Sequence, residues 1–334
     1  INTTPDAIHI QRLLSKWRAE KINTVAMEVS SHGLEQKRVA ALKFKLALFT
    51  NLSRDHLDYH GDMQAYAQAK AELFKYQGLE RAVINVDDGF AEQLLAMIDP
   101  QVSVLTYSLD AATEADVWVE GIRYHREGVS AKLHSTWGQF TLQSPLIGAF
   151  NLSNVVAAIT CLASMSHPIA DIVAALPKLE TIAGRMERIA NEANLTVVVD
   201  YAHTPDALEK SLQAMRLHSE GKLWCVFGCG GDRDPGKRPQ MGAVAQRYAD
   251  YVVVTSDNPR SENPLDIINQ ILGGVDRPAL IEENRASAIE FAIANAKAGD
   301  SVLIAGKGHE SFQLIGDQRL PFSDIAQAQQ ALTN

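Results

Sequence analysis

Short apolar runs alternate with amphipathic stretches along most of the chain. The runs are rich in β-branched residues and end in Gly, Asn, Asp or Ser, which is typical of buried strands in a parallel sheet. The predicted strands are Thr24–Val29, Leu46–Thr50, Ala82–Asn85, Thr196–Asp200, Leu223–Phe227, Tyr251–Thr255 and Ser301–Ala305. Apolar positions at helical spacing predict helices at Pro5–Glu20, Ala65–Phe74, Leu152–Met165, Ala207–Leu217, Gln240–Tyr248 and Ala286–Ala296. This alternation predicts an α/β fold with mostly parallel sheets.

The alternation is interrupted twice. From about residue 116 to 146, apolar and polar positions alternate one by one, which predicts three short antiparallel strands in a small β subdomain before the helix at Leu152. The strand–helix alternation restarts after Ala170–Leu176, and we place a domain boundary near Thr181. The sequence therefore predicts one domain over residues 1–180 and a second over 181–334, as the length of 334 residues leads one to expect.

Composition and charge narrow the class of protein. Hydrophobic residues make up 46% of the chain and charged residues 21%, as in soluble globular proteins. The net charge of -9 argues against nucleic acid as a partner, and no apolar run is long enough for a membrane span. The start of the chain has no basic, apolar signal-peptide pattern. The odd number of cysteines, 3, favours a reducing cytoplasm over a disulfide framework, and we expect Cys225 and Cys229 to be buried rather than to bind metal.

Two polar motifs in the first half follow predicted strands. Glu28-Val-Ser-Ser-His32 places a carboxylate and hydroxyls at a strand end, where they suit Mg²⁺ and its phosphate ligands or cap the next turn. The segment from Thr50 to His60 is either a solvated turn or a ligand-rich loop, with candidate ligands Asp55, His56, Asp58 and His60. Lys70 lies near the apolar stripe of the next helix, where a lysine ordinarily extends its ammonium to water.

A third motif, Gly148-Ala-Phe-Asn-Leu-Ser-Asn154, opens a predicted helix. Either Asn151 or Ser153 is a plausible N-cap, and the Gly and Asn side chains are also suited to contact a nucleotide.

Four further motifs follow strands in the second half. Asp200-Tyr-Ala-His-Thr-Pro205, preceded by Gly184-Arg-Met-Glu187, offers an Asp for ribose hydroxyls and an Arg for phosphate, or a helix cap and a surface Arg. The others are Phe227–Arg238, Ser256–Glu262 and Gly306-Lys-Gly-His-Glu310. Because ligands of parallel α/β sheets bind beyond the carboxyl ends of the strands, motifs at so many strand ends indicate one functional site better than separate polar turns do.

The glycine-rich segment resembles a phosphate loop without being one. Gly231-x4-Gly236-Lys237 has Walker A spacing, but Arg238 replaces the hydroxyl residue and Pro235 removes an amide that would bind phosphate. The segment is therefore interpreted as an anion-binding loop that uses Arg233 and Lys237, with a flexible turn as the alternative.

As an ordered set, these motifs resemble the Mur ligase family, the ATP-dependent amide-forming enzymes of peptidoglycan precursor synthesis. The motifs that carry the resemblance are Glu28-Val-Ser-Ser-His, Asn51-Leu-Ser-Arg-Asp-His-Leu-Asp-Tyr-His, Ala67-Gln-Ala-Lys, Asp200-Tyr-Ala-His-Thr-Pro, Gly231-Asp-Arg-Asp-Pro-Gly-Lys-Arg-Pro and Gly306-Lys-Gly-His-Glu. Asp257-Asn-Pro-Arg260 resembles the members that add meso-diaminopimelate to UDP-N-acetylmuramoyl-L-alanyl-D-glutamate. The resemblance implies a central ATPase domain, a C-terminal Rossmann-like domain, and a cytoplasmic, monomeric enzyme.

The resemblance also implies roles for individual residues. Mg²⁺ would be held by Glu28, His56 and Lys70, the lysine being carbamylated and hence anionic. The UDP-muramoyl-dipeptide would contact Asn2, Thr3, Thr4, Ser30, Gln36 and Arg38. ATP, the co-substrate, would contact Asn151, Arg185, Asp200 and His203. Meso-diaminopimelate would bind among Arg233, Asp257, Asn258, Pro259, Arg260, Gly306 and Glu310.

One departure from the family pattern affects the expected activity. The family's Gly-x-x-Gly-Lys-Thr loop and its UDP-binding domain would both precede Ile1. We therefore expect an incomplete central ATPase domain, and no turnover by this chain alone. Two alternatives stay open at the level of sequence: a ligase similar to folylpolyglutamate synthase, and a non-catalytic remnant that only binds ligands.

Overall fold

A computed structural model describes residues 3–53 and 56–333, without the side chain of Asp58. In its first half the elements are, in chain order, α1 (Ala7–Ala19), α2 (Ser31–Glu35), β1 (Leu46–Phe49), α3 (Leu57–His60), α4 (Met63–Ala71), β2 (Arg81–Asn85), α5 (Ala91–Leu95), β3 (Ser103–Ser108), β4 (Val117–His125), β5 (Gly128–Ser135), β6 (Gly138–Ser144), α6 (Ala149–Ser164) and α7 (Ile169–Ala175). Single 3₁₀ turns follow α4 and α7, at Glu72–Lys75 and Leu176–Lys178.

The second half repeats the strand–helix alternation. Its elements are β7 (Glu187–Ile189), β8 (Thr196–Asp200), α8 (Pro205–His218), β9 (Leu223–Phe227), α9 (Lys237–Tyr248), β10 (Tyr251–Thr255), α10 (Pro264–Leu272), β11 (Leu280–Glu282), α11 (Arg285–Asn295), β12 (Ser301–Ala305), β13 (Phe312–Ile315), β14 (Gln318–Pro321) and α12 (Asp324–Thr333).

Two six-stranded sheets and one hairpin form in the described residues. The first sheet has the order β1-β2-β3-β4-β5-β6, and β1 to β4 pair in parallel. The second has the order β11-β10-β9-β12-β8-β7 and is parallel except for the edge strand β7. The strands predicted between residues 116 and 146 are β4, β5 and β6, so the small β subdomain is continuous with the first sheet. The predicted α/β fold is confirmed.

The predicted strand Thr24–Val29 is wrong. This segment belongs to no strand, and no described strand pairs with it. Its residues are mostly exposed, and Val25 keeps 39% of its surface. A β-branched run becomes a strand only where a neighbouring strand accepts its backbone hydrogen bonds, which the run itself does not reveal.

The second sheet has a buried core on each face. Alternate residues of its central strands point to opposite sides: Leu303 of β12 joins one apolar cluster, and Val302 and Ile304 join the other. Helices α8, α9 and α10 cover the first face, and α11 and α12 cover the second. Burial on both faces explains why these strands appear in the sequence as unbroken apolar runs.

Contacts divide the chain into two compact units, described separately below. The first unit comprises Ile1–Glu120, Lys132–Phe140 and Ser153–Val173, and the second comprises Gly121–Ala131, Thr141–Leu152 and Ala174–Asn334. No helix in the described part of the chain has the length and apolar character needed to cross a membrane.

Candidate functional site

Four neighbouring strands of the second sheet end side by side. Ala305, the last residue of β12, pairs with Asp200 of β8 on one side and Phe227 of β9 on the other. Phe227 in turn pairs with Val254 of β10. The four polar segments that follow these strands therefore emerge next to one another, as the sequence predicted, with neighbouring strands about 4.8 Å apart.

Three polar side chains form a hydrogen-bonded network at this edge. The ammonium Nζ of Lys307 donates to Asn258 Oδ1 and to Glu310 Oε2, at 2.9 Å in each case. Asn258 Nδ2 donates to the same Glu310 oxygen at 2.8 Å. Asn258 and Lys307 are buried, whereas Glu310 keeps 22% of its side chain exposed. Burial opposes ionisation of Glu310, but hydrogen bonds from Lys307 and Asn258 outweigh it and lower its pKa.

Asp257 and Gly306 pack together beneath this network. Asp257 is buried, its carboxylate accepts from the amide of Asn258 at 2.7 Å, and desolvation raises its pKa. Gly306 has φ +120°, and a Cβ there would lie 2.7 Å from Asp257 Oδ2. Position 306 therefore requires glycine both for its conformation and for space.

A fully buried ion pair contacts the ends of two of these strands. The guanidinium of Arg285 pairs with Asp324 at 2.7 Å. It also donates to the carbonyl of Ala305 at 2.9 Å and to that of Ser256 at 3.3 Å. Arg285 thus links the ends of β10 and β12 by donating to one backbone carbonyl at each.

Arg260 is held by the backbone in a left-handed conformation with φ +52°. Its amide donates to the carbonyl of Leu314 at 3.0 Å, and its own carbonyl accepts from Gly316 at 2.7 Å. Its Nη1 donates to the carbonyl of Gly231 at 2.7 Å, and no described residue accepts from Nε or Nη2. A non-glycine residue at positive φ is strained and persists where its surroundings impose it, often at functional sites.

Arg260 does not form the surface ion pair with Glu262 that its sequence position allows. Glu262 pairs instead with Arg238, through two contacts of 2.8 Å. Arg238 is 1% exposed, and this pairing lowers the pKa of Glu262 to about 2. The amide of Asp232 also donates to Glu262, at 2.5 Å, so the pair anchors the glycine-rich loop.

The two cations predicted for an anion loop bond to backbone carbonyls. Arg233 is exposed and donates to the carbonyl of Asp232 at 3.0 Å. Lys237, the first residue of α9, donates to the carbonyl of His203 at 2.9 Å. Lys237 therefore joins two of the predicted motifs.

The residues predicted to contact ATP lie in the second unit. Asp200 is buried, and its two oxygens accept from the Met186 amide at 2.9 Å and the Ser211 hydroxyl at 2.7 Å. It does not cap α8, whose N-cap is Thr204. The guanidinium of Arg185 lies 5.0 Å from the ring of Tyr201.

Asn151 and His203 complete this set. The Nδ1 atom of His203 lies 2.8 Å from the carbonyl of Tyr201. The expected N-cap roles of Asn151 and Ser153 are wrong, because α6 already begins at Ala149. Asn151 lies inside the first turn and donates to the carbonyl of Ile147 at 2.8 Å.

Most residues predicted for the muramoyl-dipeptide meet in the first unit. The hydroxyl of buried Thr4 accepts from the Ser30 amide at 2.8 Å and donates to the Glu28 carbonyl at 3.1 Å. Arg38 donates to the carbonyl of Thr4 at 2.7 Å and to the side chain of Gln36 at 2.9 Å. Of the remaining two, Thr3 is exposed at the start of this segment, and Asn2 lies outside the described residues.

A cluster of rings brings His56 and Lys70 together in the first unit. Lys70 Nζ lies 5.2 Å from the centroid of the Tyr66 ring, and the ring of His56 is 5.8 Å from the same centroid. The ring of His32, four residues after Glu28, is 4.9 Å from that of His56.

Few of the candidate metal ligands come together in the described part of the first unit. In the parts of the chain that the structure describes, no three His, Cys, Asp or Glu side chains gather as a metal site. Asp55 lies outside these parts, as does the side chain of Asp58. The fourth candidate, His60, bonds Ser31 at 2.9 Å and pairs with Glu35 at 3.2 Å.

Several residues that support the site were not predicted from the sequence. Lys307 belongs to the motif Gly306-Lys-Gly-His-Glu310, but its position after a strand does not indicate a role for its side chain. In the sequence, Arg238 stands out only as a departure from a Walker A loop. Lys307 pairs with Glu310, three positions later in the chain. Arg238 pairs with Glu262, 24 positions later, and only the fold brings these two residues together.

Comparison with known proteins decides the family. Residues 1–162 match the Mur ligase middle domain, and residues 184–308 match the domain described as Mur ligase, glutamate ligase domain. The chain belongs to the Mur ligase family. Members of this family are ATP-dependent ligases that form amide bonds.

Individual Mur ligases are similar over nearly the whole chain. A UDP-N-acetylmuramoyl-L-alanyl-D-glutamate--2,6-diaminopimelate ligase from Chromobacterium violaceum is 47% identical over 99% of the chain and 68% of its own length. The enzyme of the same name from Coxiella burnetii is 45% identical over 99% and 69%. A solved structure of a ligase with this name has a TM-score of 0.78 and 41% identity, covering 99% of this chain and 69% of that one.

Proposed function

We propose that this Mur ligase adds meso-2,6-diaminopimelate to UDP-N-acetylmuramoyl-L-alanyl-D-glutamate with consumption of ATP. The observation that carries the proposal is the presence of a guanidinium, that of Arg260, and a carboxylate, that of Glu310, at the same edge of the second sheet. Relatives at 45% and 47% identity bear the name of that activity, which adds independent support.

The two side chains complement one end of the diaminopimelate molecule. That end carries a carboxylate and an ammonium, whereas the same end of L-lysine carries only an ammonium. Arg260 has Nε and Nη2 available for the two parallel hydrogen bonds that a carboxylate accepts from a guanidinium. No described residue donates to Glu310 Oε1, so this oxygen is available to an ammonium. Arg233, Asp257, Asn258, Pro259 and Gly306 complete the proposed pocket.

The proposed reaction proceeds in two steps. The D-glutamyl carboxylate attacks the γ-phosphorus of ATP, which releases ADP and forms an acyl phosphate. The neutral amine of diaminopimelate then attacks the acyl carbon, the C–N bond forms, and inorganic phosphate leaves with the electron pair of the broken C–O bond. The nitrogen loses one proton, which the departing phosphate can accept. Both steps build charge on oxygens, so positioning and electrostatic stabilisation supply most of the rate enhancement.

The remaining predicted residues would position the two nucleotides. Asn151, Arg185, Asp200 and His203 are proposed to contact ATP, with the guanidinium of Arg185 meeting phosphate. The muramoyl-dipeptide is assigned to Asn2, Thr3, Thr4, Ser30, Gln36 and Arg38. The hydrogen bonds that join Thr4, Ser30 and Arg38 support this assignment, because they make one polar surface from distant parts of the first unit.

Magnesium is the cation proposed to accompany ATP. Glu28, His56 and a carbamylated Lys70 would hold it, and it would neutralise charge on the transferring phosphoryl group. Lys70 could hold this ion only as an anion, because Mg²⁺ prefers oxygen ligands and repels an adjacent ammonium. The approach of Lys70 and His56 to the Tyr66 ring supports a shared site.

The proposal also places the enzyme in the cytoplasm. Its co-substrate is ATP, and all three cysteines are free thiols, as expected in a reducing compartment. Burial raises the pKa of the Cys229 thiol to about 12, so that thiol stays protonated and inert. Fractionation of cells that make the protein would recover it with the soluble proteins if this placement is correct.

The test compares two amino acids in the full gene product that contains this chain. We expect product with meso-diaminopimelate and little with L-lysine, measured as kcat/KM from phosphate release and confirmed by the product mass. Arg260→Ala should lower kcat/KM for diaminopimelate by about 30-fold to several thousand-fold, because a charged ligand group loses its partner. The KM for ATP should stay unchanged.

A matched control is Arg247→Ala, which removes an exposed arginine from α9 in the same unit. It should leave all kinetic constants unchanged. The pocket is wrongly assigned if the wild type has equal kcat/KM values for L-lysine and meso-diaminopimelate. It is also wrongly assigned if Arg260→Ala leaves the ratio of these two kcat/KM values unchanged.

A further inference from the structure

Lys307 is a fully buried cation next to the proposed amino-acid pocket. Its side chain is 0% exposed, and Nζ donates to Asn258 Oδ1 and Glu310 Oε2. The ring of Phe312 lies 5.9 Å from Nζ. Burying an ammonium is costly unless it is paired and hydrogen-bonded, so these contacts fix the side chain in one position.

Lys307 determines the orientation of the Asn258 amide. Asn258 Oδ1 accepts from Lys307 and also from the Leu314 amide at 3.0 Å. An inverted amide would place its NH₂ group against two donors, so the oxygen must occupy this position. The NH₂ group is thereby directed to Glu310 Oε2.

The same ammonium determines which oxygen of Glu310 is available. Oε2 accepts from Lys307 and Asn258, whereas Oε1 accepts from no described residue. The Glu310 carboxylate is therefore ionised and held by one oxygen, with the other unused. This is the arrangement that a ligand ammonium requires.

We propose that Lys307 is a positioning residue for the amino-acid substrate: it fixes Asn258 and one oxygen of Glu310, so that the other oxygen accepts the ligand's ammonium. The inference rests on the proposed function, since it concerns the same pocket. Lys307 itself is buried behind Glu310 and acts through it rather than by touching the substrate.

Other charged groups also act on Glu310, and the test must separate them from Lys307. Arg260 favours its ionised form, and Asp257 at the end of β10 opposes it. The ion pair Arg285–Asp324 lies beyond Asp257 and is already internally neutralised. Removing Lys307 therefore removes a direct donor and raises the pKa of Glu310, so less carboxylate remains as the pH falls.

The experiment replaces Lys307 by methionine, which has similar length and no donor, in the full gene product. We expect the KM for meso-diaminopimelate to rise about ten- to a hundred-fold at pH 7.5, the effect of losing a charge-assisted hydrogen bond. The increase should grow between pH 7.5 and pH 6.0, while the KM for ATP stays within about two-fold. Lys307→Arg keeps the charge and should restore most of the affinity.

Lys222→Met is the matched control. Lys222 is an exposed lysine that precedes β9, and its Nζ bonds Asp250 at 3.0 Å. This variant should show wild-type KM values and a wild-type pH profile. The proposal would be overturned if Lys307→Met raised the KM for ATP as much as the KM for diaminopimelate. It would also be overturned if Lys307→Met had the wild-type KM for diaminopimelate.

A titration without substrates tests the effect of Lys307 on Glu310 independently of the proposed function. In the chain with ¹³C-labelled glutamate carboxyls, Glu310 should titrate below its ordinary pKa in the wild type and at a higher pH in Lys307→Met. If the wild type makes no product but Glu310 titrates in this way, the proposed function fails and the positioning role survives. If the Lys307→Met protein does not fold, an ordinary pKa for Glu310 in the wild type still rejects the proposal.

Discussion

The sequence predicted which polar side chains lie at the strand ends, but not which residues they bind. The segments Ser256–Glu262 and Gly306–Glu310 stand out because each follows an apolar run, and parallel strands end at a common edge. The roles of Asp257, Asn258, Arg260 and Glu310 within them come from the resemblance to Mur ligases. What the sequence could not supply is the identity of each hydrogen-bond partner. The sequence position of Arg260 allows an ion pair with Glu262, but the fold brings Arg238 to Glu262 and the backbone of β13 to Arg260.

Lys70 is the residue where chemistry and ordinary expectation differ most. A lysine beside an apolar stripe normally extends its ammonium to water, yet here Nζ lies over Tyr66 in the same ring cluster as His56. A metal at this place needs anionic oxygen ligands, which a carbamate provides and an ammonium does not.

We therefore expect Lys70→Ala to abolish ligase activity in the full gene product, and a short-chain carboxylate such as acetate to restore part of it. The measurement is the ATP-dependent rate with and without added carboxylate. Lys75→Ala, a nearby lysine paired with Glu72 on the surface, is the control and should behave as the wild type. Full activity of Lys70→Ala without any additive would exclude the carbamate.

At the scale of elements, the four central strands of the second sheet were predicted to the residue, whereas its edge strands β7 and β11 were not predicted. Thr196–Asp200, Leu223–Phe227, Tyr251–Thr255 and Ser301–Ala305 have the predicted bounds because both faces are buried, so polar residues mark the ends. The hairpin β13–β14 was missed although Gly316 and Asp317 form a two-residue connection between apolar positions. Thr24–Val29 has the composition of a strand without a partner, and composition does not reveal partners.

The turn before β7 depends on one glycine. Gly184 has φ +68°, and a Cβ there would lie 2.0 Å from the amide nitrogen of His309. This contact presses the turn against the loop that carries Lys307 and Glu310. Gly184→Ala should therefore displace that loop, lower the free energy of unfolding by about 2–4 kcal/mol, and weaken diaminopimelate binding.

Gly78→Ala is the matched control for this prediction. Gly78 also has positive φ, +83°, but no atom lies within 4 Å of its hypothetical Cβ. It should show only the strain of the backbone, about 1 kcal/mol in urea unfolding. Equal destabilisation by the two substitutions would show that the contact with His309 is not a tight one.

At the scale of the whole molecule, the sequence predicted two domains with a boundary near Thr181, and that boundary stays a prediction. The two compact units are defined by contacts and interleave along the chain, since Gly121–Ala131 and Thr141–Leu152 belong to the second unit. Interleaving of this kind arises from long-range contacts, which a pattern of local periods does not encode. The proposed metal and muramoyl residues fall in the first unit and the amino-acid residues fall in the second, whereas the motif Gly148–Asn154 is divided between the two units after Leu152.

A single tryptophan makes the second unit separately observable. Trp224 of β9 is 5% exposed, stacks on Tyr251 and is the one tryptophan of that unit, whereas Trp17, Trp118 and Trp137 belong to the first. Replacing those three by phenylalanine leaves a fluorescence signal from the second core alone.

If diaminopimelate binds at the carboxyl ends of β8, β9, β10 and β12, it must stabilise the unit that these strands form. A ligand that binds only the folded state adds RT ln(1 + [L]/Kd), about 2.7 kcal/mol at a hundred times Kd. We therefore expect meso-diaminopimelate to raise the urea midpoint reported by Trp224 without changing the slope m, since the surface exposed on unfolding is the same. L-lysine at equal concentration should shift it much less, because it offers no carboxylate to Arg260, and Arg260→Ala should remove the difference between the two. A shift of equal size with both amino acids would mean that Arg260 does not read the distal carboxylate, and no shift with either would place the amino-acid site outside this edge of the sheet.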